Sequence, residues 1–68
     1  MNIVVMKDGV SIGFVKSISE KKNSFAITQS KDKAKEYKNE NIIQRDIDIL
    51  TRISSEKEFG YIFLYIWY

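Results

Sequence analysis

Apolar and polar positions alternate in two runs at the start of the chain, "NIVVM" and "VSIGFVKSI", separated by "KDG". Alternation with a period of two marks half-buried strands, and the Asp8-Gly9 pair between them marks a tight hairpin. In the second run Val10, Ile12 and Phe14 fall on one face, and Ser11 and Gly13 on the other. A polar turn over "EKKNS", Glu20 to Ser24, leads into "SFAIT", with Phe25 and Ile27 on one face. Three short strands in an antiparallel meander are predicted.

The pattern changes period at Ser30. "SKDKAKEYK" opens on a capping serine and spaces Ala34 and Tyr37 three apart, which predicts a short helix. "NENIIQRDIDILTRI" predicts the main helix, with Asn41 as cap and Gln44 completing a capping box. At 100° per residue Ile42, Ile43, Ile47, Ile49, Leu50 and Ile53 fill an arc of about 160°, a broad core-facing stripe. Asp48 and Arg52 are spaced for an i,i+4 pair on the opposite side. "SSEKEFG" breaks the pattern before a last strand.

That strand, "GYIFLYIWY", is uncharged and apolar on both sides. Ile62, Leu64 and Ile66 form an aliphatic face, and Tyr61, Phe63, Tyr65 and Trp67 an aromatic one. The aliphatic face suits the isoleucine-rich helix. The aromatic face is then expected on the uncovered side, beside Ser11, Gly13 and Val15 and beside Ser24, Ala26 and Thr28. The fold class predicted is α+β: a small antiparallel sheet, the three-strand meander plus the C-terminal strand, with two helices packed on one face. The whole of residues 1–68 reads as a single domain.

Composition narrows what this domain can do. At 68 residues the chain is near the lower limit for one core, burying only about 60% of its unfolded surface. Chains of this size commonly carry a disulfide, a metal or a second subunit. Cysteine and histidine are both absent, which removes the disulfide and the common zinc ligands. Cysteine absence fits a reducing compartment. "MNIVVM" is too short for a leader, and the closing run is well short of the about 20 residues that a membrane span needs. A cytoplasmic protein with no metal, cofactor or membrane association is expected.

Without histidine or cysteine, acid–base catalysis at neutral pH would need a strongly shifted carboxylate or lysine, and no motif supports one. The glycines at 9, 13 and 60 form no phosphate cradle. The chain is read as non-enzymatic. Asp46 interrupts the helix stripe among Ile42, Ile49, Leu50 and Ile53. It is either a buried carboxylate holding a ligand or a partner's arginine, or a rim carboxylate bonded to a tyrosine, a lysine or the backbone. The rim reading is preferred.

Two surfaces remain for binding. Tyr61, Phe63, Tyr65 and Trp67 would make a protein interface, with a second copy or another protein, since Tyr and Trp are enriched anchors there. The structural alternative is a minor second core. Lys21, Lys22, Lys33, Lys35 and Lys38, with Lys16 and Lys31, cluster in the middle third and could meet the phosphates of single-stranded nucleic acid while Phe63, Tyr65 and Trp67 stack on bases. Interleaved Glu20, Asp32, Glu36 and Glu40, and a net charge of only +2, weigh against that alternative.

The stretch "SFAITQSKDKAKEYKNENIIQRDIDIL", Ser24 to Leu50, resembles small phage and prophage proteins of low-GC Gram-positive bacteria. They pair a strand ending in Thr with a turn like Lys33-Ala34-Lys35 and Tyr37, followed by a helix. The resemblance implies no functional residue. It implies a phage accessory protein, a class that often acts by binding a host or defence protein. A homodimer or tight hetero-complex is expected independently, because the uncharged closing strand carries no lysine or proline to guard it and would be covered through Tyr61, Phe63, Tyr65 and Trp67.

Overall fold

The chain turns first at Asp8 and Gly9, both with positive φ (52° and 79°), the backbone that a two-residue hairpin of type I′ requires. The structure, a computed structural model, describes residues 1–66, the last of these by its backbone alone. The turn joins β1 (Asn2–Lys7) to β2 (Val10–Ser19). A second turn, closed by the Asn23 N–H on the Glu20 carbonyl, leads to β3 (Ser24–Thr28). After α1 (Glu40–Glu56) the chain returns as β4 (Ile62–Ile66). The four-stranded antiparallel sheet has the order β3-β2-β1-β4, with α1 across one face. The α+β class and the meander are as the sequence reads; β4 joins at the edge, beside β1.

Register shifts interrupt β2 twice, between the Val5 and Met6 pairings with β1 and between Val15 and Ser17 opposite β3. Each inserts an extra residue and reverses the alternation beyond it. Ile12, Gly13, Val15 and Ile18 therefore all turn to the covered side, and Phe14 to the open one. Gly13 has no room for a side chain. A Cβ there would lie 2.6 Å from Ile27 Cγ2 and 2.8 Å from the Thr28 carbonyl.

The short first helix expected after Ser30 is a single 3-10 turn, Lys31–Lys33. From Ala34 the chain runs as an extended strap, because its backbone groups find distant partners. Tyr37 and Met1 exchange backbone bonds of 2.8 and 2.9 Å, and Lys35 N–H donates to the Val15 carbonyl. The α-amino group of Met1 also pairs with Glu36 at 2.9 Å. Three such bonds outweigh the weak propensity of an isolated short helix.

The strap delivers Asn39, not Asn41, as the cap of α1, its side chain accepting from Asn41 N–H. Gln44 donates to Asp48 in place of the capping box. Ile43, Asp46, Leu50, Ile53 and Ser54 are the buried positions of the helix, while Ile42 turns to solvent, so the stripe is narrower than expected. At its end Glu58 takes the left-handed conformation (φ 57°), with Phe59 N–H on the Ser54 carbonyl and Glu58 N–H on Ser55. That is the Schellman pattern, built here without glycine. Ser54 Oγ then accepts from Tyr61 N–H, tying the helix end to the start of β4.

Candidate interface on the open sheet face

Which face of β4 meets the helix is set by its register on β1, where Phe63 lies opposite Val5 and Tyr65 opposite Ile3. Ile3 and Val5 are fully buried beneath Ile43 and Leu50, so the aromatic side of β4 goes under the helix. Phe63 is only 5% exposed. Tyr61 and Tyr65 pack at the margin of the same core. The expected sidedness is therefore inverted: Tyr61, Phe63 and Tyr65 do not lie on the open face, and Trp67 is outside the described residues.

Rings from two strands and a loop fill the core beyond β1. Phe25 meets Phe63, Tyr61 and Phe59 edge to face, at centroid distances of 5.5, 6.1 and 6.2 Å. This is the geometry that aromatic quadrupoles favour. Tyr65 O–H donates to Glu40, a bond that raises its phenol pKa first and foremost, and Lys7 Nζ sits 5.6 Å from the Tyr61 ring centre.

The opposite face is largely aliphatic, and among the described residues no helix covers it. Phe14, Val4 and Leu64 form one row across β2, β1 and β4, and Met6 and Ile62 lie side by side in the next. Ile62 is 60% exposed and Leu64 51%, while Val4, Met6 and Phe14 are half-buried by their neighbours. Ser11, Ser17, Ala26 and Thr28 continue the face toward β3, with exposed Lys16 in the bulge beside Ser17. Sequence reasoning placed Phe14 with the core and overlooked Val4 and Met6, because an unbroken alternation along β2 assigns the faces without its bulges. The adjacent apolar pair Phe14-Val15 is the signal that could have shown the break.

Asp46 is buried, 5% exposed, which corrects the rim placement while keeping its expected partners. Tyr37 O–H donates to its Oδ2, Lys35 Nζ lies 3.1 Å from the same oxygen, and Arg45 Nε is 3.8 Å from the other. Burial, then the bond to Asp46 and its charge, push the Tyr37 phenol pKa far above its ordinary value. With the carboxylate held between strap and helix, this cluster is a clasp. Every buried side-chain polar atom among the described residues has a partner.

The lysines do not gather into one surface. Lys21 and Lys22 are exposed in the β2–β3 turn, and Lys33 in the 3-10 turn. Lys35 is engaged with Asp46 and lies 5.1 Å from the Tyr37 ring centre, and Lys38 is exposed on the strap. No family model, no curated protein and no solved structure matches this chain.

Proposed function

We propose that the protein is a non-enzymatic protein-binding module that takes its partner on the open sheet face. The resemblance of Ser24–Leu50 supports a phage accessory role, directed in the cytoplasm at a host or defence protein. The observation that carries the reading is the exposure of Ile62 and Leu64 on a face shared with the apolar Val4, Met6 and Phe14. Apolar surface left in water forgoes about 25 cal/mol for each Å² that a partner would cover. Contiguous patches of this kind mark interaction sites. The aromatic interface first expected gives way to an aliphatic one on the other side of the same strand.

Single-stranded nucleic acid is the weaker reading. Of its stacking rings, Phe63 and Tyr65 are turned under α1 and Trp67 lies outside the described residues, which leaves Phe14 as the ring on the open face among the described residues. The experiment is affinity capture from a bacterial host lysate, with wild type and Leu64→Lys in parallel at low and high salt. An aliphatic contact predicts a protein retained by wild type at both salts and lost from the variant. Capture that survives in Leu64→Lys, or nucleic acid released steeply by salt, contradicts the proposal.

A further inference from the structure

The outer edge of β4 has no pairing strand among the described residues. Natural edge strands are guarded by lysine, proline, a bulge or marked shortness. Positions 62–66 carry neither lysine nor proline, and the β1–β4 ladder runs without the register shifts that interrupt the other two. A regular, uncharged edge is a template for another strand.

Charge identifies which strand. Lys7 lies over Tyr61 at one end of β4, and Glu40 receives the Tyr65 hydroxyl at the other. The edge thus has a positive end and a negative end, both marked by side chains on the helix side. We infer that β4 pairs antiparallel with β4 of a second copy, in a register centred on Phe63, so that Lys7 of each copy meets Glu40 of the other.

The register follows from symmetry and side-chain parity. Residues directly opposite in an antiparallel pair share a face, so a two-fold pair of identical strands must place one residue opposite itself. Centred on Phe63, Tyr61 lies opposite Tyr65 of the second copy, which brings the two charged ends together. On the open side Ile62 lies beside Leu64 of the second copy, and the reverse, so these two exposed side chains meet at the seam. Cross-strand pairs of this kind are the unit by which sheets are stabilised. The two sheets become one of twice the width.

The other edge lacks this complementarity. β3 is preceded by Glu20, Lys21 and Lys22 and followed by Lys31, Asp32 and Lys33, net positive at both ends. Pairing β3 with itself would set like charge against like.

The pairing forms along the sheet edge and shares with the partner proposed for the open face only the Ile62 and Leu64 margin. The test is sedimentation velocity over a concentration series for the full chain and for Lys7→Glu, Glu40→Lys and the double charge swap. Both residues are exposed, and circular dichroism checks that each variant folds. Wild type is expected to show a monomer–dimer equilibrium, each single reversal to weaken it by about tenfold, and the double swap to restore it. A wild type monomeric at millimolar concentration overturns the inference, as does a chain that remains monomeric and takes up an extended apolar peptide instead. A dimer indifferent to both reversals, or not restored by the swap, overturns this edge as its contact. Partner capture by the single-reversal variants separates the two proposals, since Lys7 and Glu40 lie off the open face.

Discussion

The Tyr37 hydroxyl donates to Asp46 Oδ2 and so fastens the strap, which arrives beside β1 and β2, to the buried face of α1. Lys35 adds an ion pair to the same oxygen, with 42% of its side chain exposed, so solvent screens its share. Asp46→Asn is expected to lower the unfolding free energy by about 2–3 kcal/mol, measured by urea melts. A loss below about 1 kcal/mol would place the carboxylate at the rim after all.

The same contact gives an alkaline limit to stability. The unfolded phenol loses its proton near its ordinary pKa of 10, whereas the folded one keeps it well above that. Above this pH the unfolded chain binds fewer protons than the native one, and stability falls as pH rises. The contribution is complete below pH 10 and is lost above it at no more than about 1.4 kcal/mol per pH unit. Urea melts between pH 9 and 11, approximately one unit either side of the unfolded value, should show this slope reduced in Tyr37→Phe. Equal slopes in both proteins would remove Tyr37 as the group responsible.

Glu58 holds a left-handed backbone at the end of α1, where glycine is the usual occupant. Glu58→Gly should raise stability by about 0.5–1 kcal/mol, because the Cβ penalty disappears while the Schellman bonds remain. An unchanged or lower melting temperature would mean that the Glu58 side chain compensates for its backbone.

Gly13 predicts the opposite sign. Its φ of 150° and the 2.6 Å approach of Ile27 Cγ2 leave alanine both strained and in collision. Gly13→Ala should cost about 2 kcal/mol or more, read from chemical denaturation. Wild-type stability in this variant would show that β3 can move away from β2 at little cost.

The sequence makes the elements legible where one short-range rule is enough. Asp8-Gly9 dictates its hairpin, and the isoleucine spacing of residues 43–53 dictates a helix. It fails where long-range pairing decides. The strap residues Lys35 and Tyr37 give up a local helix for backbone bonds to Val15 and Met1, which no local window contains. The sidedness of β4 is the larger case. Alternation separates Ile62 and Leu64 from Phe63 and Tyr65, but both sets are apolar, and nothing local says which is covered. The choice is made by Val5 across from Phe63, and by the two bulges that bring Ile12 and Ile18 to the side of Gly13 and Val15. Asp46 was visible as a break in the stripe, but its burial depends on Tyr37 being carried over it by the strap.

The central claim is that α1 covers the aromatic side of β4 and leaves the aliphatic side open. Paired urea melts of Phe63→Lys and Leu64→Lys test it directly, because the two residues are adjacent in sequence and differ only in the face they occupy. A lysine in place of Phe63 would bury an unpaired charge among Ile3, Val5 and Leu50, and should cost about 4 kcal/mol or more, enough to unfold a domain of this size. In place of Leu64 it would stand in solvent and change stability by less than about 1 kcal/mol. The reverse result, Leu64→Lys unfolded and Phe63→Lys stable, would contradict the account.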